Sequence, residues 1–338
     1  TADRFEEPLE NTGSTVSIIT RQEIEERKSP FVLDLLRTVP GLYIAQGGSP
    51  GKITSLFTRG AGSDQTLVTI DGIQINDSTG FIDLANLATT NIERIEIVRA
   101  PQSTLYGSDA LGGVINIITR GAGPLFSARG EFGSDATWNG NARAAFGSDV
   151  NHLAFEYSRF MTDGETSNDD FDNKTVAANS RFQLTDWTQA GIIYRHVDSD
   201  LGIPFLSGAS TADQRQTSES NLVHIPIKQK VLENWDAAFH FSIFDQELHF
   251  RHPTNPFGLT FSDTDSRTTT YHFLNTVSIQ EHTLIAGFEH EKIAINDQSS
   301  FGVSLDEAEV SSNAFYAQMQ LAAWESLMVT LGIRIDDH

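Results

Sequence analysis

From residue 125 onward the chain alternates apolar and polar side chains over stretches of ten residues or more, and no other feature constrains its fold as strongly. In NHLAFEYSRF, Leu153, Phe155 and Tyr157 share one face, with His152, Ala154, Glu156 and Ser158 on the other. WDAAFHFSIF sets Trp235, Ala237, Phe239, Phe241 and Ile243 against Asp236, Ala238, His240 and Ser242. LMVTLGIRID sets Leu327, Val329, Leu331, Ile333 and Ile335 against Thr330, Gly332, Arg334 and Asp336. About eleven such segments fit before the C-terminus. Short turns such as Gly147-Ser148-Asp149 alternate with long polar stretches at 162–174 and 198–218, the rim asymmetry of an outer-membrane barrel. A soluble β-sandwich alternates as well. The Gly, Ser, Glu, His and Arg of the second face favour the barrel, because a sandwich core leaves little room for polar lining.

Composition narrows the function. The 338 residues carry 45 acidic and 23 basic side chains, a formal charge of −22, which disfavours a nucleic-acid partner bound through its phosphates. With no cysteine, disulfide frameworks, thiolate metal sites and thiol catalysis are excluded. No run approaches the roughly 18 apolar residues of a membrane helix, a test that says nothing against a barrel.

Residues 1–120 read as an α+β unit, 121–124 (Gly121-Ala122-Gly123-Pro124) as a linker, and 125–338 as the strand-rich part. Thr20 and Glu23 form a capping box for a helix over RQEIEERK. Ser29-Pro30 offers an N-cap and a first-turn proline for FVLDLLRTV, which Pro40-Gly41 ends. Strands are expected at TLVTIDG, IERIEIV and GGVINIITR, and Asp71-Gly72 makes a tight turn in which Asp71 bonds its own backbone. Enzyme motifs fail. GGSPGKI lacks the first glycine and the Ser/Thr of a phosphate loop, and Gln65 stands where a dinucleotide fingerprint wants its third glycine. His249 and His252 lack the spacing and the neighbouring acid of a helical zinc site and read as rim or lumen residues.

The ordered series DLLRTVPGLYI, FTRG, TLVTIDGIQIN and NIERIEIVRAPQSTLYGSDALGGVINIITR resembles the plug of a TonB-dependent outer-membrane transporter. TADRF, RQEIE and the terminal GIRIDDH are most similar to its cobalamin branch; Ala100 departs from the glycine usual in that family. The resemblance implies an α+β plug inside an antiparallel transmembrane β-barrel in the outer membrane of a Gram-negative bacterium. It also implies import of a large scarce nutrient, cobalamin or a related corrinoid first, a ferric siderophore or haem as the alternative, with TonB and its inner-membrane complex as partner. No catalytic residue is expected. A soluble lectin-like binding module and a glycosidase are the readings from other classes. The barrel of such a family has about 22 strands, so this chain is expected to hold half of it and to lack the segment that contacts TonB.

Two outward loops are the expected ligand contacts: Gln46-Gly47-Gly48-Ser49-Pro50-Gly51-Lys52 and Asn76-Asp77-Ser78-Thr79-Gly80. Asp163, Glu165, Asp169, Asp170 and Asp172 put five carboxylates within ten residues, and the resemblance to cobalamin transporters suggests calcium there. Arg59, Arg94 and Arg99 are expected to pair with lumen carboxylates such as Glu156 or Asp236, since an unpaired buried guanidinium is costly. With Asp71, Gly72, Gly107, Gly112 and Gly113, they form the expected structural frame of the plug.

Overall fold

The first part of the chain consists of segments too short to be stable singly, and it gains stability by packing them into one mixed sheet. A computed structural model describes residues 14–206, 209–210, 213–255, 257–324 and 327–337. The TADRF motif and His338 lie outside them. The elements are β1 (Val16–Thr20), α1 (Arg21–Arg27), α2 (Val32–Leu36), β2 (Leu42–Gln46), β3 (Thr54–Thr58), β4 (Thr66–Ile70), β5 (Ile73–Gln74), β6 (Ile92–Val98), α3 (Ser103–Tyr106) and β7 (Gly113–Thr119). Five strands form a sheet in the order β1-β6-β7-β4-β5, with β4 and β7 parallel, and β2 and β3 form a separate hairpin.

Helix α1 has the predicted capping box, with Glu23 N donating to Thr20 Oγ1 at 3.3 Å and Thr20 N to Glu23 Oε2 at 2.9 Å. Helix α2 starts later than expected: its N-cap is Phe31, without a side-chain cap. Tertiary pairing decides this, because Phe31 is extended and bridges Ala88 while the Pro30 carbonyl accepts Thr89 N at 2.9 Å. Asp71 and Gly72 turn with φ of 50° and 85°. The Asp71 carboxylate bonds Thr119 (N at 3.0 Å, Oγ1 at 2.7 Å) rather than its own backbone, tying the turn to the end of β7.

The rest is a wall of long strands. These are β8 (Phe126–Phe132), β9 (Trp138–Gly147), β10 (His152–Thr162), β11 (Phe171–Gln183) and β12 (Thr188–Gly202), a small hairpin of β13 (Phe205–Leu206) and β14 (Ala209–Ser210), then β15 (Arg215–Leu232), β16 (Trp235–Arg251), β17 (Phe261–Ile279), β18 (His282–Ser299), β19 (Gly302–Trp324) and β20 (Leu327–Asp337). Apart from the hairpin they form one eleven-stranded antiparallel sheet in sequence order, with β8 and β20 at its edges, as the alternation predicts. Short connections at 148–151 and 184–187 lie at one end, and long ones at 163–170, 203–214 and 252–260 at the other. Phe155, Tyr157, Ile192, Phe273, Phe315 and Ile333 are exposed along the outer face, whereas Ala154, Glu156 and Ser158 are buried on the inner one.

The plug docks on the inner face through two apolar contacts. In the larger, Val32, Leu35, Leu56 and Ile95 of the plug share one core with Phe171, Leu201, Leu222 and Phe244 of the wall. Phe31 stacks edge-on with Phe160 at 5.0 Å and lies 5.8 Å from Phe171. The smaller joins Leu67, Leu105, Tyr106 and Val114 to Leu274, Ile285 and Tyr316.

The polar contacts run opposite to expectation. Arg94 pairs with Glu96 at 2.7 Å, Arg99 donates to the Pro40 carbonyl and to Ser17 Oγ, and Arg59 is exposed. Glu156 faces Arg143 of the wall at 3.6 Å, and Asp236 is exposed. Plug arginines thus find partners within a few residues or across their own fold. The wall supplies the guanidiniums that cross the interface: Arg195 reaches the carbonyls of Thr90 (3.3 Å) and Ala88 (3.1 Å), and Arg334 that of Leu105 (3.3 Å).

Farther along the inner face, His224, His240, His272 and Tyr316 stack in a row, with ring centroids 5.2, 5.6 and 6.0 Å apart. His272 Nε2 and Tyr316 Oη are hydrogen-bonded at 2.5 Å although β18 lies between their strands. Gly287 of β18 makes the crossing possible, since a Cβ there would fall 2.4 Å from the Tyr316 ring.

Candidate functional site

The hairpin of β2 and β3 carries its connecting loop towards the long-loop end of the wall. Gly47 N bonds the Ile53 carbonyl at 3.0 Å, Lys52 N that of Ser49 at 3.3 Å, and Gln46 Nε2 that of Ser49 at 3.1 Å. Gly51 has φ of +83° and lies against Phe171, where a Cβ would approach the ring to 2.4 Å, so both backbone and space require glycine. The tight turn places Ser49 and Lys52 against the 163–170 loop. Lys52 Nζ lies 3.0 Å from Asp169 Oδ1 and donates to the Gly202 carbonyl at 2.7 Å, while Ser49 Oγ donates to Asp169. Lys52 and Asp169 are both buried. Burial opposes ionisation of Asp169, but the Ser49 and Lys52 hydrogen bonds and the Lys52 charge outweigh it and hold the carboxyl below its ordinary range.

The wall loops are fastened to one another. Asn168 Nδ2 donates to the carbonyls of Ile203 (3.0 Å) and Gln214 (2.9 Å), and Arg215 holds Asp170 (2.8 Å) and Asp200 (2.7 Å). The Arg215 hydrogen bonds keep the Asp170 carboxyl below its usual range. Between them and the plug loop lies a cleft of about 570 Å³, lined by Gly47 to Pro50, Lys52, Asp135, Thr137, Gly164 to Thr166, Asp169, Ile203 and Pro204. It presents backbone amides, hydroxyls, the Lys52–Asp169 ion pair and two further acids, Asp135 and Glu165, a polar surface able to meet a large ligand at several points.

Of the two predicted ligand loops, the first lines this cleft through Gly48, Ser49, Pro50 and Lys52, whereas Gln46 sits behind it, held by Arg37. The second does not line it. Asn76 is buried and ties Val68 N (2.8 Å), the Thr66 carbonyl (3.0 Å) and the Gly80 carbonyl (2.8 Å) together. Asp77 accepts from Thr79 N and Oγ1 at 2.8 and 2.6 Å and from Phe81 N, closing its own turn around Ser78.

The five acids do not make a cation cage. Asp169 belongs to Lys52, Asp170 to Arg215, and Asp172 is gripped by Arg159 at 2.9 and 2.8 Å. Asp163 and Glu165 are exposed. Among the described residues, no three of the five bring ligand atoms within 4.8 Å of one another. Asp169, Asp170 and Asp172 each have a cation partner on a neighbouring strand or loop. Residues that sequence reasoning missed are the Gly202 carbonyl, Ile203 and Pro204, inside a stretch legible only as a long loop, and Asp135 and Thr137 of the β8–β9 turn.

Residues 8–114 match the model of the TonB-dependent Receptor Plug Domain. Over 119 residues the chain is 44% identical to the Vitamin B12 transporter BtuB of Vibrio vulnificus, an overlap covering 35% of this chain and 20% of that protein. Residues 8–114 are thus a plug domain of the TonB-dependent receptor kind. The likeness of fold takes in nearly all of this chain, which spans about three fifths of the solved receptor chains it matches. The ferric-catecholate import receptor Fiu of E. coli K12 superposes with a TM-score of 0.79 at 17% identity, covering 99% of this chain and 61% of that one. The siderophore receptor PiuA of Acinetobacter baumannii gives 0.72 at 18%, covering 99% and 62%. The receptor resides in the outer membrane. No helix among the described residues is long and apolar enough to cross a membrane.

Proposed function

We propose that this receptor captures cobalamin or a related corrinoid outside the cell and passes it to the periplasm, driven by TonB. The observation that carries the reading is the cleft at the long-loop end, walled on one side by the plug and on the other by the barrel. A ligand resting there touches both domains and can report its presence to the plug. The 44% identity over 119 residues to a vitamin B12 transporter supports the choice of ligand. The outer membrane holds no nucleotide pool, and no phosphate-loop motif survives scrutiny here, so an external energy source is required. The role consists of binding and passage, with no bond-making step. Titration of the complete receptor with cyanocobalamin, a panel of ferric siderophores and haem tests the reading. Saturable binding of cyanocobalamin at nanomolar to micromolar concentration is expected, and binding of a siderophore or haem alone would overturn it.

A further inference from the structure

On the outer face of the wall, the apolar band formed by Phe241 and Ile243 of β16 and by Tyr271 of β17 gives way to charge towards the long-loop end. Alternation keeps Asp245, Glu247, His249 and Arg251 on that outer face. Register sets Glu247 opposite Asp265 and His249 opposite Asp263. One ligand atom from each of Glu247, His249 and Asp265 lies within 4.8 Å of the others, the one such group among the described residues.

Two further observations point to a cation. Asp263 Oδ1 accepts from His249 Nδ1 at 2.9 Å and is itself held by Arg251. That bond occupies Nδ1 and turns the other ring nitrogen, Nε2, towards Glu247 Oε2, 3.7 Å away. A carboxylate behind a histidine is the usual support of a metal-ligating imidazole. Asp265 Oδ1 is shielded from solvent and has no hydrogen-bond partner, an acceptor whose cost a bound cation would remove.

We propose that Glu247, His249 and Asp265 bind a divalent transition-metal cation of the zinc class, clipping β16 to β17 on the outer wall. One imidazole nitrogen with two carboxylates suits zinc better than calcium or magnesium, which take oxygen ligands. Bonds of about 2.0–2.2 Å require the three donors to draw closer, which the exposed Glu247 side chain can do by rotation, and water completes the tetrahedron. The site is remote from the cleft and independent of the imported nutrient.

The test is calorimetric titration of the complete receptor in detergent with zinc chloride, with cobalt(II) absorption as the spectroscopic readout. The chain has 10 histidines, so the comparison with variants isolates the site. His249→Ala should lose one binding event and the tetrahedral cobalt band, and Asp263→Asn should weaken the affinity about 10- to 100-fold. Should His249→Ala fail to fold, Glu247→Gln, altered only at an exposed tip, must show the same loss. Wild-type protein that binds zinc with the same stoichiometry and affinity as these variants would overturn the proposal.

Discussion

The ammonium of Lys52 in the plug and the carboxylate of Asp169 in the barrel lie 3.0 Å apart, with side-chain exposures of 7% and 6%. Removing either partner leaves a buried charge. Lys52→Met or Asp169→Asn should therefore weaken the docking of the plug loop by about 3 kcal/mol. Hydrogen exchange of residues 46–52 and 163–170 should accelerate together in both variants while β6 and β7 keep their protection. Because the Asp169 carboxyl is held below its ordinary range, its contribution is present above the unfolded value of about pH 3.9 and is lost only as the pH falls through the lower folded value. A carboxyl NMR titration of Asp169 showing an ordinary or raised value would refute this.

Gly51→Ala should destabilise the same loop through two costs, a left-handed φ and the Phe171 ring. Together they amount to about 2 kcal/mol. Adding Phe171→Leu should recover the steric part and leave the backbone part. Thermal unfolding of the single and double variants separates them, and additive losses would show that the ring is not the obstacle.

Asp71 makes the opposite pH prediction. Burial raises its carboxyl, and the two bonds from Thr119 compensate only in part. Between about pH 3.9 and the raised folded value, the folded plug keeps a proton that the unfolded chain has lost. Stability should fall as the pH rises through that window. Asp71→Asn accepts from Thr119 N and donates to its hydroxyl, so it should flatten the slope without undoing the turn, as denaturant midpoints between pH 4 and 8 would reveal.

The Gly287 crossing predicts an unequal pair of effects. Gly287→Ala should displace Tyr316 and cost about 1–3 kcal/mol. Tyr316→Phe keeps the ring in place and forfeits one hydrogen bond to His272, about 1 kcal/mol. Heat unfolding in detergent should rank Gly287→Ala as the more harmful, and the reverse order would mean the ring stack carries little.

Arg195→Ala should free the carbonyls of Ala88 and Thr90 and raise hydrogen exchange near residues 88–91 by roughly tenfold, the equivalent of one charged hydrogen bond. Lysine in its place should restore part of the protection, having a charge without the fork.

How much of this was legible beforehand follows the range of the forces involved. Each wall strand carries its two faces in its own residues, so the alternation around Phe155 and Glu156 was readable without knowing what lay beside it. The capping box of Thr20 and Glu23 is local and was equally clear. Partners set by register were not. Asp169 found Lys52 more than a hundred residues earlier, and Arg94 took the local Glu96 of its own strand, unannounced by any motif. His249 looked unsupported because two of its acids, Asp263 and Asp265, come from the next strand, where helical spacing offers no guide. The start of α2 moved for the same reason, since the chain around Pro30 answers to Thr89 rather than to its own capping preference.

Strand β1 lies at the edge of the plug sheet, joined to β6 alone through five rungs from Val16 opposite Val98 to Thr20 opposite Arg94. Its mechanical strength therefore depends on direction. A pull along the strand axis loads all five rungs at once, whereas a pull across the sheet opens them one after another, like a zip, at a fraction of the force. Any machine that grips the chain ahead of Val16 would choose between a rigid anchor and a tear strip by its angle of approach.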